Sequence, residues 1–185
     1  MSELRIPINE NDHVTGDPKA AVTLVEYGDY QCPHCQAAQP AVAAVLHHFG
    51  RELCFAYRHF PLTTIHPMAK PAAETAEFAG SLAKFWQMHE TLFANSQRLT
   101  VPTLLLIAAQ VGLDPGQLRG ALANHSFAAK VDADFAGGLA SGVNGTPCFF
   151  INGQRYDGRH DAVSLVATID AVLHSPPQLR PRIEA

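Results

Sequence analysis

The sequence predicts one α/β domain, a mixed sheet with helices on both faces and an inserted all-helical block. Three observations carry that prediction. Ala21 to Tyr27 is a nearly continuous apolar run with β-branched residues, the pattern of a strand buried on both faces. Residues 67–142 then change to helical periodicity. β signals return at Cys148-Phe149-Phe150-Ile151, followed by the hairpin pair Asn152-Gly153. A chain of 185 residues suits one such domain.

The elements follow in order. Residues 1–19 are polar and punctuated by Pro7, Asn9, Gly16 and Pro18, and read as an N-terminal arm. The domain itself spans 20–174. After the first strand, Gly28-Asp29-Tyr30-Gln31 forms a short loop. Cys35 to Phe49 spaces Val42, Val45, Leu46 and Phe49 as one helical face, with Gly50 as its stop and Pro40 expected to kink it. Leu53 to Phe60 alternates with Leu53, Phe55 and Tyr57 on one face, a second strand. Strand, helix and strand make a parallel, right-handed unit. The helical insertion, at about 61–142, is interrupted at Gly80-Ser81, Asn95 to Thr100, Gly112 to Pro115 and Asn124, which allows four or five helices. Residues 154–157 return from the hairpin, and 161–173 form an amphipathic helix. The Pro-rich stretch 175–185 is expected to be a flexible tail.

Composition excludes several classes of function. The chain has 13 Lys and Arg against 17 Asp and Glu, a net charge of −4. That balance carries no footprint for nucleic acid or an anionic membrane. The longest apolar run, Leu104 to Ala109, is far too short for a membrane span. No secretory signal is visible near Met1, so the expected location is cytoplasmic, or periplasmic if a leader has been removed. Four cysteines are too few for a disulfide scaffold.

Two of those cysteines form Cys32-Pro33-His34-Cys35 between a strand and a helix. The first sulfur then sits at a helix N-terminus, where unpaired N–H groups and the helix dipole favour an anion. Thiolate is the nucleophile in disulfide exchange, so Cys32 is the candidate attacking sulfur. Cys35, one turn on, can close the disulfide or resolve a mixed one. Pro33 fits the first helical position, and the His34 ring supplies a titratable cation and N–H donors that lower the Cys32 pKa. The competing reading is a zinc knuckle, but a second ligand pair is missing from the sequence and no metal is expected. Thr146-Pro147 precedes the third strand. A trans bond there is the ordinary case; a cis bond would leave the backbone of Thr146 open to an extended substrate peptide.

Glu26 to Cys35, with Gly145-Thr146-Pro147 and Phe149 to Gly153, resembles the DsbA-like branch of the thioredoxin superfamily. Phe85 to His89 with Leu92 to Asn95 is similar to a helix of that branch's insertion. The resemblance covers roughly residues 13–173. It implies a thioredoxin fold, a cis peptide before Pro147, and thiol–disulfide oxidoreductase activity with Cys32 as nucleophile and Cys35 as resolving cysteine. It aligns Pro40 with the kink proline of thioredoxins. It aligns Glu26 with the buried acid that relays protons to the resolving cysteine. A purely structural hydrogen bond is the other role open to Glu26. Two departures stand out: the family's oxidases carry a secretion signal, and Cys148 stands where a hydroxyl residue is common.

Cys148 is therefore either a third redox participant or a small buried residue. Cys54 opens the second strand, at the sheet end away from the active site in such a fold, so a Cys54–Cys148 disulfide is not expected. His47, His48 and His66 are expected to be solvent-facing or capping. Trp86 and Met88 are expected in the core of the insertion, which should shape one wall of the active-site groove. The reading is a thiol–disulfide oxidoreductase without cofactor, exchanging a Cys32–Cys35 disulfide or dithiol through a mixed disulfide on Cys32. Its partners would be protein or low-molecular-weight thiols and a separate recycling partner. The direction of electron flow is open. The alternative is a cytosolic thiol-dependent metal- or peptide-binding module without turnover.

Overall fold

A computed structural model describes residues 2–174. The expected flexible tail at 175–185 lies outside the described residues. Five strands form one sheet: β1 (His13–Gly16), β2 (Val22–Gly28), β3 (Leu53–His59), β4 (Cys148–Ile151) and β5 (Gln154–Tyr156), in the order β1-β3-β2-β4-β5. β2 and β3 are parallel, with Leu24 beside Phe55 and Glu26 beside Tyr57. All other pairings are antiparallel, and β4 places Phe149 beside Glu26. The hairpin follows from Asn152 and Gly153, whose φ angles of 46° and 78° match the right-handed twist of the strands they join.

The helices are α1 (Pro33–Phe49), α2 (Ala69–Gly80), α3 (Phe85–Ala94), α4 (Val101–Gln110), α5 (Pro115–Ala123), α6 (Ala128–Ala140) and α7 (Ala162–Leu173). The insertion thus holds five α-helices, broken where the sequence predicts. α1 begins two residues before the expected start, because Pro33 occupies the first helical position without losing a hydrogen bond. It runs on through Pro40 to Gly50, whose φ of 49° ends it.

Alternation along the buried strands builds two cores. Val22, Leu24, Phe55, Tyr57 and Phe149 face α1, α7 and the helices α2 to α5. Val25, Tyr27, Ala56, Phe60, Cys148 and Phe150 face the other way, toward Phe135 of α6 and the segment around Leu4 and Ile8. The last helix of the insertion therefore crosses to the second face. It lies close because Gly138 has no side chain: a Cβ there would come within 2.7 Å of the Phe60 ring.

The arm expected over residues 1–19 contains a strand. β1 has one strongly apolar residue in four and lies at a sheet edge, so no hydrophobic alternation announces it. Its neighbourhood is held by Arg58, which is buried in β3 and needs acceptors. Asp12 supplies both carboxylate oxygens at 2.8 and 2.7 Å, and the carbonyls of Ile6 and Pro7 accept from the same guanidinium.

Candidate active site

The site lies where the β2–α1 loop meets the segment before β4. Cys32 is the N-cap of α1, with extended backbone angles and without the side-chain oxygen that usually accepts from the first turn. Sulfur occupies that place instead. Its pKa falls to about 5. The hydrogen bond from the Cys35 thiol is the largest cause and outweighs burial, with help from Thr146 and the backbone N–H groups of Cys35 and His34. The Thr146 carbonyl accepts from the Cys32 thiol at 3.5 Å, and the Thr146 hydroxyl is buried with no partner, available to a thiolate.

Cys35 behaves in the opposite way. It is fully buried, and desolvation, reinforced by its bond to Cys32 and the charge of Glu26, drives its pKa far above the usual thiol value. Its sulfur accepts from the Asp29 N–H at 3.5 Å. All four cysteines are thiols. One sulfur is thus set to be a thiolate and the other to keep its proton.

Glu26 lies on the same sheet face as Leu24 and is wholly buried. Neither carboxylate oxygen has a hydrogen-bond partner. Burial pushes its pKa up to about 8, only partly offset by the amide of Gln39. Pro147 is buried beside Thr146, and the bond between them is cis.

His34 and Pro33 are exposed at the start of α1. The His34 backbone N–H bears on the Cys32 sulfur and helps to lower its pKa. The Cys148 side chain belongs to the core on the far face of the sheet, away from Cys32 and Cys35, and burial raises its pKa. Cys54 lies beside Thr23 while Cys148 lies beside Tyr27, at opposite ends of β2.

The insertion packs beside α1, but the cavity between them is lined by none of Cys32, Cys35, Thr146 or Pro147. Largely apolar and about 520 Å³ in volume, it opens between α1 and α3, lined by Gln36, Gln39 and Leu46 on one side and Trp86, His89 and Phe93 on the other. Met88 is in the core and Trp86 packs against it, its indole N–H donating to the Val14 carbonyl at 3.1 Å.

Among the histidines, His47 and His48 are exposed as expected. His66 is not. Its ring is mostly covered and meets the buried Asp29 carboxylate at 2.8 Å. A second buried group escaped sequence reasoning altogether. Glu77 of α2 joins His13 at 3.0 Å and His59 at 2.7 Å, and the donor atoms of His59, Glu77 and Asp134 all lie within 4.8 Å of one another. Both acids are already paired, Glu77 with the two imidazoles and Asp134 with Lys130 and the His59 N–H, and neither cysteine belongs to the group. These residues are 18 to 75 positions apart, so no motif links them.

Comparison with known proteins places this arrangement. The Na(+)/H(+) antiporter NhaA 1 of Salinispora arenicola is 40% identical over 181 residues, covering 97% of this chain and 28% of that protein. The antiporter NhaA of Herminiimonas arsenicoxydans is 34% identical over 162 residues, 88% of this chain and 26% of that protein. The chain thus spans little more than a quarter of the length of these relatives. No described helix is long and apolar enough to cross a membrane. Among solved structures, oxidised BdbD from Bacillus subtilis has a TM-score of 0.84 at 23% identity, covering 94% of this chain and 99% of that one. A thioredoxin-like oxidoreductase from Silicibacter pomeroyi has a TM-score of 0.78 at 28% identity, covering 91% and 95%. The family model described as Thioredoxin matches residues 8–171, a span that takes in every strand, every helix but the last residues of α7, and both cysteines of the pair. By fold, motif and sequence alike, the chain belongs to the thioredoxin family.

Proposed function

We propose that the chain is a thiol–disulfide oxidoreductase working through Cys32 and Cys35. The carrying observation is the opposed protonation of the two sulfurs, Cys32 favoured as thiolate and Cys35 held as thiol. Only thiolate attacks, so the pair has a built-in order of events. In the reducing direction the Cys32 thiolate attacks one sulfur of a substrate disulfide. A Cys32–substrate bond forms, the substrate bond breaks, and the other substrate sulfur leaves as thiolate. Cys35 then loses its proton and attacks the Cys32 sulfur, releasing the second substrate thiolate. Two electrons pass to the substrate, and the Cys32–Cys35 disulfide remains. The oxidising direction is the same sequence reversed.

Glu26 is the proton acceptor that this scheme needs beside Cys35. A carboxyl with a pKa near 8 exchanges protons near neutrality, and its charge bears directly on Cys35. Thr146 and Pro147 form the surface on which an extended polypeptide would lie, with the Thr146 hydroxyl beside the reacting sulfur. Substrates are protein or small thiols and disulfides, and a separate thiol partner resets the pair. The similarity to an oxidoreductase at 28% identity supports this reading. Antiport is named only for the much longer relatives and is not assigned to this chain.

The test is trapping. Incubated with glutathione disulfide, the Cys35→Ala variant should gain one glutathione on Cys32, seen by mass, and wild type should proceed to the internal disulfide. No adduct on Cys32, or an adduct formed equally well on Cys54 or Cys148, sinks the proposal.

A further inference from the structure

Asp29 carries more connections to the two cysteines than its place in a short loop requires. Its carbonyl accepts from the Cys32 N–H at 3.1 Å, and its own N–H donates to the Cys35 sulfur at 3.5 Å. Its side chain is fully buried. One oxygen, Oδ1, accepts from the Gln31 N–H at 2.8 Å. The other, Oδ2, accepts from the Leu62 N–H at 2.9 Å and from His66 Nδ1 at 2.8 Å. Gln31 adds a parallel clip, its Oε1 accepting from the Met68 N–H at 2.7 Å. The linker between β3 and α2, residues 60–68, is therefore fastened to the redox loop at Leu62, His66 and Met68.

We propose that Asp29, with His66 as its partner, is a positioning residue for the dithiol: it fixes the backbone N–H that hydrogen-bonds the Cys35 sulfur. The inference rests on the thiol–disulfide reading of this site. The number of acceptor sites on the side chain decides this role. The turn at Gln31 needs a single oxygen, which asparagine also offers. Leu62 and His66 bring two further donors to Oδ2, and only a carboxylate presents acceptor sites to all three. A buried carboxylate with three donors resists displacement, so the peptide bearing the N–H that meets Cys35 is held. No comparable anchor is needed for Cys32, whose thiolate is stabilised by Cys35, Thr146 and the first turn of α1.

The test separates the two sulfurs. Asp29→Asn keeps the Oδ1 acceptor and turns an amide donor toward the Leu62 N–H. His66→Ala removes only the ring. Each variant is equilibrated with reduced and oxidised glutathione, and the dithiol–disulfide ratio is read by alkylation and mass. Loss of the N–H that stabilises the reduced Cys35 sulfur should shift the equilibrium constant toward the disulfide. The expected shift is about tenfold for Asp29→Asn, or about 30 mV on the two-electron scale. For His66→Ala the expected shift is smaller, and the double variant should match Asp29→Asn alone, since both act through one contact. The pH midpoint of Cys32 alkylation should stay near 5 throughout. The glutathione adduct on Cys32 should resolve more slowly.

Folded variants whose exchange constants stay within about twofold of wild type overturn the inference. So does simple addition of the two single effects, or a Cys32 midpoint that moves as far as the exchange constant. If Asp29→Asn does not fold, the exchange constant of His66→Ala decides the matter by itself. A wild-type pair that never exchanges with glutathione defeats the functional reading itself; exchange in wild type with unaltered variants defeats only the role of Asp29.

Discussion

Replacing Glu26 by Gln changes how stability depends on pH, and the structure sets both the sign and the size. Glu26 is wholly buried with both oxygens unpartnered, and burial raises its pKa from 4.5 to about 8. An acid whose pKa is raised on folding holds its proton more tightly in the folded state. Its stability contribution is fully present below pH 4.5 and is lost as pH climbs toward 8. At 1.36 kcal/mol per pH unit, the wild type loses about 5 kcal/mol from this group over that window, and about 3 kcal/mol of it by pH 7. Gln has nearly the same shape and no proton to lose. The stability of Glu26→Gln relative to wild type should therefore rise steadily from pH 4.5 to 8 and then level off. The assay is urea unfolding at a series of pH values with the Cys32–Cys35 disulfide closed. Closing it removes the Cys32 thiolate, a lesser contributor to the shift, and keeps the titration of that thiol out of the comparison. Two parallel stability curves across the window would refute the reasoning, because they would mean that Glu26 is ionised in the folded protein at no cost.

The remaining predictions are shorter. Ultraviolet thiolate absorbance of the reduced protein should titrate with a midpoint near pH 5, and Cys35→Ala should raise that midpoint, since the Cys35 hydrogen bond is its largest cause. Glu77→Gln should cost about 1–3 kcal/mol in urea unfolding at neutral pH, because it disrupts a buried carboxylate that hydrogen-bonds both His13 and His59. Burial alone would raise the Glu77 pKa, but its two imidazole partners hold it well below 4.5. Its contribution is therefore present above pH 4.5 and should fade only as the solution is made more acid than that. Gly138→Ala should cost about 1–3 kcal/mol by the same measurement, since the added methyl meets the Phe60 ring and α6 must move off the sheet. A Cys148→Ala variant should leave the glutathione equilibrium of the Cys32–Cys35 pair unchanged, because its sulfur lies on the opposite face of the sheet.

Much of the site was legible because its chemistry is local. A nucleophile and its resolving thiol must lie within one helical turn, so Cys32-x-x-Cys35 declares itself by spacing alone. The same holds for Asn152-Gly153, where two residues with positive φ make the turn, and for the breaks within the insertion, which fall at Gly, Asn and Pro and allowed four or five helices where the structure has five. Glu26 could be placed in the core because it interrupts an apolar run on a buried strand. Local pattern was silent about β1, which is short, polar and at an edge.

Sequence by itself determined the fold class, the redox pair, the order of the elements from β2 onward and most of the breaks between them. Those features depend on periodicity, turn chemistry and spacing, which act over a few residues. Only the tertiary structure decided that Asp29 answers to His66, 37 positions away, that Arg58 closes on Asp12, and that Glu77 gathers His13 and His59. It alone turned Cys148 away from the active sulfurs. Such pairings follow from which elements stack on which face of the sheet, and a buried charge takes its partner from whatever the packing brings within reach.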